Sequence, residues 1–164
     1  MSLSNRRNFL TLLATPLALS ACGFRPIYGE GTAADAMHGR IALGEFTGLS
    51  GFQMREELET NLGPATAATH VLNVDLTITR KGLAITSDGS ITRYNLNGVA
   101  KFAVSELGGG VVLSGSVSAL TAYNATANAY ATRVAEQDAN RRLAKTLADE
   151  ITTQLAITAK DWLR

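Results

Sequence analysis

The chain of 164 residues contains one cysteine, two histidines and three prolines, and neither charge is in marked excess, with 15 Lys+Arg against 14 Asp+Glu. One cysteine excludes an internal disulfide framework and any multi-cysteine zinc or iron–sulfur centre built by a single chain. A formal charge of +1 argues against a general nucleic-acid binder, which carries a clear basic excess. The apolar stretch Phe9–Leu19 falls well short of the roughly 20 residues that a membrane-crossing helix needs. Disorder is excluded as well, because apolar residues make up 46% of the chain and charged ones only 18%.

Catalytic signatures are also missing. No Gly-x-Ser-x-Gly, His-Glu-x-x-His or Walker-type Gly-Lys-Ser/Thr occurs. Gly108-Gly109-Gly110 precedes a strand pattern rather than the helix that a phosphate cradle requires, so it reads as a hairpin turn. His38 and His70 have no acid spaced to orient them and read as surface residues. The expectation is a non-enzymatic protein with no metal and no cofactor other than a covalent lipid.

That lipid is read from the N-terminus. Arg6-Arg7, an apolar core and Leu19-Ser20-Ala21-Cys22 form a signal peptide ending in a lipobox, with residues 1–21 removed and Cys22 acylated. Arg6-Arg7-Asn8-Phe9-Leu10 also resembles a twin-arginine export signal. Each buried methylene of an acyl chain contributes about 0.8 kcal/mol, so several chains anchor durably where one is marginal. Gly23, rather than Asp, follows the cysteine and points to the outer membrane. Without the leader, 13 basic residues face 14 acidic ones, so attraction to anionic lipid rests on local placement.

Residues 22–39 read as a lipidated tether, rich in glycine and carrying the apolar patch Phe24, Ile27 and Tyr28. That patch rests at the membrane interface or packs on the domain; the residues do not choose. Residues 40–164 form a single domain. Ile41–Phe46 is a short strand. A helix follows from Ser50-Gly51 to Leu62, with Met54, Leu58 and Leu62 as its buried stripe and Gly63-Pro64 as its stop. Three strands come next, at 70–79, 91–104 and 111–123. In the first, Leu72, Val74, Leu76 and Ile78 alternate with Asn73, Asp75 and Thr77. In the last, Val111, Leu113, Val117 and Ala119 form the apolar side against Ser114, Ser116 and Ser118. A long helix runs from Ala131 to Lys160, with Ala139, Leu143, Leu147, Ile151 and Leu155 stepping by four. The fold expected is α+β, with two helices on one face of a small, mainly antiparallel four-stranded sheet in the order β-α-β-β-β-α.

The chemistry left is a binding surface. Arg93 and Lys101 alternate with Asn95 and Asn97 on the polar face of the middle strand, Arg80-Lys81 closes the strand before it, and Arg133 enters the last helix. These five are either an ordinary solvated face or a patch for anionic lipid headgroups, since guanidinium groups grip phosphate bidentately.

Ala21-Cys22-Gly23-Phe24-Arg25-Pro26-Ile27-Tyr28-Gly29, the element order, and Glu136-Gln137-Asp138 near the start of the last helix together resemble the lipopolysaccharide-assembly lipoprotein LptE family in its alphaproteobacterial form. The resemblance implies a plug inside the lumen of a large outer-membrane barrel, LptD, which assists that barrel's folding and binds lipopolysaccharide during its delivery to the outer leaflet. It implies basic lipopolysaccharide contacts at the strand hairpin and just before the last helix. Arg133, three residues ahead of Glu136, fits the second. Thr86-Ser87-Asp88 departs from the first, leaving Arg80, Lys81 and Arg93 nearby. A rival reading keeps the anchor and the polar face but makes the chain an auxiliary lipoprotein of a lipid ABC transporter. A hydrolase is a third reading, with only His38 and His70 as bases.

Overall fold

Two long segments of apolar period, one of helix and one of strand, have to bury their stripes against each other, and the architecture follows from that need. The computed structural model describes residues 32–85 and 91–163. The leader, Cys22, the Phe24–Tyr28 patch and the hairpin Thr86-Ser87-Asp88 lie outside the described residues.

Four strands and three helices follow in the order α1 (Ala33–Met37), β1 (Ile41–Leu43), α2 (Gly48–Leu62), β2 (His70–Ile85), β3 (Ile91–Glu106), β4 (Val111–Asn124) and α3 (Ala129–Trp162). The sheet order is β1-β2-β3-β4. β2, β3 and β4 form the expected antiparallel meander. β1, however, runs parallel to β2, so the sheet is mixed. The reason is α2, a crossover that carries the chain back before β2 starts in the same direction as β1. A third helix also departs from expectation. α1 occupies part of the segment read as tether, and it buries Met37.

One face of the sheet is covered. α3 lies across β3 and β4 and presents Ala139, Leu143, Leu147, Ile151 and Leu155 to them, all fully buried. Burying a leucine or isoleucine side chain in this way stabilises by about 1.5–3 kcal/mol. α2 packs beside α3 through Met54, Leu58 and Leu62. Gly98 makes the close approach possible: a Cβ there would sit 2.9 Å from Leu147 and 3.0 Å from Leu143. Polar ties finish the helix pair, with Lys145 bonded to Glu57 and Asn61 Nδ2 donating to Asp149 at 3.0 Å. α2 ends at Gly63, whose φ of +75° and contact with the His38 ring leave no room for a side chain.

Two residues expected at the surface or in the core are placed otherwise. His70 is buried, at 3% exposure. It opens β2 on the helix-covered side, with its ring edge-on to Trp162 at 5.2 Å and Nδ1 2.9 Å from Thr69 Oγ1. Trp162 docks there at the end of α3 and donates Nε1–H to Thr158 Oγ1 at 3.3 Å. Val111, expected on the apolar side, is 63% exposed. A register shift between Val104 and Ser105 turns the first residues of β4 outward.

Leu147→Ala opens a cavity where α3 meets Gly98 and is expected to lower unfolding stability by about 2–5 kcal/mol. Urea denaturation followed by Trp162 fluorescence measures it. A loss below 1 kcal/mol would show that the α3 stripe does not anchor the sheet.

Candidate functional site

The start of α3 fixes one end of the molecule. Asn128 caps it, its side-chain oxygen accepting from the backbone N–H groups of Tyr130 and Ala131 at 2.9 and 3.2 Å. Thr126 and Thr132 lock the preceding turn reciprocally: Thr126 N–H donates to Thr132 Oγ1 at 3.0 Å, and that hydroxyl donates to the Thr126 carbonyl at 3.2 Å. Arg133 stands exposed one turn into this capped helix.

The end of β2 and the start of β3 reach the same end, because Arg93 pairs in register with Asn124, the last residue of β4. Lys81 pairs with Asn95 on the neighbouring strand, and both Lys81 and Arg93 are exposed on the face that no helix covers. Arg80 points the other way. It sits on the helix side, with its guanidinium 5.1 Å from the centre of the Tyr94 ring. Nη1 donates to Glu136 Oε1 at 3.0 Å and to the Tyr123 hydroxyl at 3.5 Å. Tyr94 and Tyr123 stack at 5.3 Å beneath it. Arg133 and Glu136, three residues apart on α3, share a helix face, so Arg133 flanks this cluster.

Four of the five candidate cations thus meet at one end: Lys81 and Arg93 on the open face, Arg80 and Arg133 on the helix side. Lys101 does not join them. It lies opposite Asp75, six residues along β3 from Asn95 and so about 20 Å away. Tyr94, Tyr123 and the pairing role of Glu136 were not legible as site features, since only the strand register brings the two tyrosines together.

The cluster is electrostatically settled. Hydrogen bonding to Tyr123 and the nearby Glu136 carboxylate hold Arg80 still more firmly protonated. Burial raises the Tyr123 phenol above its ordinary value, and the Arg80 hydrogen bond opposes that rise. The ion pair itself is solvent-accessible, with the Arg80 side chain 53% exposed, so it contributes about 0–1 kcal/mol. A recess of about 600 Å³ lies elsewhere, between β1 and α2 beside Leu43, Arg55 and Glu59. No group of three or more metal-ligating residues occurs among the described residues, and no helix among them is long and apolar enough to cross a membrane.

The sequence profile of the LptE family, described as lipopolysaccharide-assembly, matches residues 39–155. The chain belongs to the LptE family. Solved structures share its fold. A protein described as a lipoprotein from Caulobacter crescentus superposes with a TM-score of 0.66 at 20% identity, over 78% of this chain and 96% of that one. Rare lipoprotein B from Shewanella oneidensis does so with a TM-score of 0.56 at 18% identity, over 76% and 98%. Lipoprotein B from Nitrosomonas europaea gives 0.59 at 13% identity, over 86% and 95%. No curated protein matches the sequence. The LptE profile spans the whole basic end from Arg80 to Glu136 together with the sheet and most of α3.

Because the folded Tyr123 pKa is raised, the folded chain keeps this proton where the unfolded chain releases it. The stability this gives is present below about pH 10 and is lost as pH rises through the folded value. Tyr123→Phe is expected to remove that part of the alkaline decline and one phenol that titrates above its ordinary value in an absorbance titration. An unchanged titration would place the raised phenol elsewhere.

Proposed function

We propose that this chain is an outer-membrane lipoprotein of lipopolysaccharide assembly. It is anchored through Cys22, seated in the lumen of an LptD-type β-barrel, and contacts lipopolysaccharide with its basic end. The observation that carries this reading is the convergence of Arg93, Lys81 and Arg133 at one end of a chain of the LptE family. Guanidinium and ammonium groups gathered at one end suit the several phosphates of a lipid headgroup. A nearly neutral body keeps that attraction local. The open face of the sheet, with Asn73, Thr77, Asn97 and Ser116 exposed, suits the polar interior of a large barrel.

The test uses the full lipidated chain purified in detergent from outer membranes. The expected result is a one-to-one complex with a large barrel, and barrel assembly that fails when the chain is depleted. Recovery as a free chain with normal barrel assembly in its absence overturns the reading, and co-purification with permease and ATPase subunits makes it a transporter accessory.

For the basic end, Arg93→Glu with Arg133→Glu is expected to weaken lipopolysaccharide binding by about tenfold or more, as charge-assisted hydrogen bonds contribute about 1.5–3 kcal/mol each, while leaving the circular dichroism unchanged. Equal binding at constant salt removes these residues from the site.

A further inference from the structure

α2 has an outer face as well as a buried stripe. Leu49 and Phe52 stand on it at 61% and 59% exposure, and Phe52 lies one turn ahead of Arg55 and Glu56. Those two residues and Glu59 line the α2 side of the recess of about 600 Å³, and Ala42, Leu43 and Pro64 give it apolar lining. β1 supplies the opposite side, and its outer edge is unpaired among the described residues. Arg55 bonds to Glu59 at 2.9 Å, which leaves the exposed Glu56 carboxylate with no ion pair among the described residues. An exposed ring, an apolar lining and an unpaired acid match an occupant that brings apolar side chains and one cation.

We propose that the occupant is the chain's own segment Phe24-Arg25-Pro26-Ile27-Tyr28, which precedes the described residues. Arg25 is the one cation between Cys22 and Thr32, and Phe24, Ile27 and Tyr28 around it are large and apolar. The point at which the described chain starts supports the assignment. Thr32 stands six residues before His38, whose ring packs against Gly63 at the end of α2, and Gly63 lines the recess. Most of those residues belong to α1, so they rise only about 9 Å. Gly39 N–H donates to the Leu62 carbonyl at 2.9 Å and fixes the junction.

The lengths agree as well. From Gly63 to Phe52 the outer face of α2 runs about 17 Å. Residues 28–32 span up to about 14 Å when extended, and residues 24–28 as much again. Tyr28 therefore reaches the end of the recess near Pro64, and Phe24 reaches Phe52 and Leu49, with Arg25 beside Glu56. Because segment and recess belong to one chain, they meet at an effective concentration of roughly millimolar, so a modest contact suffices. The consequence is positional. Cys22 is two residues ahead of Phe24, so the proposed anchor is held beside the start of α2 rather than at the end of a free tether. Phe24, Ile27 and Tyr28 then pack on the domain and not at the membrane interface. This docking is independent of the lipopolysaccharide reading and leaves the basic end uncovered.

The test places the photoreactive amino acid p-benzoyl-phenylalanine in place of Phe24 in the full lipidated chain. Isolated membranes are irradiated, and what the probe captures is identified by mass spectrometry. The expected product is intrachain, joining position 24 to a peptide within residues 40–64. Glu56→Arg sets two like charges together and is expected to lower its yield severalfold with unchanged circular dichroism. Arg25→Glu added to that variant restores the opposite charges and is expected to recover the yield. Capture chiefly of phospholipid, of another protein or of a peptide outside residues 40–64 overturns the proposal. So does the absence of any captured product, or a yield that Glu56→Arg leaves unchanged.

Discussion

The structure depends on one helix lying flat on one side of a sheet. α3 sets five buried residues, Ala139 to Leu155, against β3 and β4, and Gly98 gives Leu143 and Leu147 the depth to reach the strands. The other elements take their places from that contact. α2 completes the layer beside α3 through Met54, Leu58 and Leu62. Trp162, at the far end of the same helix, covers His70 where β2 begins. Because both long helices crowd one face, the opposite face of β2, β3 and β4 has only side chains to meet water. It is lined by asparagines, threonines and serines accordingly.

The same arrangement sets the chemistry of the basic end. The N-terminus of α3, the end of β2 and the start of β3 come to one end because β4 runs toward it and the polar turn around Asn128 reverses the chain there. Four cations collect at this end of a chain whose formal net charge is only +1. They are not equivalent. Glu136 and Tyr123 hold Arg80 in place on the helix side. Lys81, Arg93 and Arg133 stand exposed and carry the charge that a phosphate would meet. Lys101, opposite Asp75, belongs to the middle of the open face.

A four-stranded sheet that keeps one face wet has to manage two edges, and it manages them differently. β1 is short, and α2 follows it closely. β4 is long and neutral, and among the described residues it is closed by Arg142 only near its end.

Local periodicity determined much of this protein. The stripe of Leu72, Val74, Leu76 and Ile78, the four-residue step from Ala139 to Leu155, and the stop at Gly63-Pro64 depend on the pitch of a strand or helix, and these repeat in every environment. The sequence by itself therefore determined the order of the elements from β1 to α3, the covered face and most of the residues that form the core. The tertiary structure alone decided the parallel placement of β1, the burial of His70 under Trp162, and the outward turn of Val111 at a shifted register. It also separated Arg80 from Lys81, neighbours in sequence that face opposite sides of the sheet, and brought Arg80 to Glu136, 56 residues away. Each of these depends on which strand lies beside which and in what register. That is settled when the helices and the sheet compete to bury the same apolar surface, and no local pattern carries it.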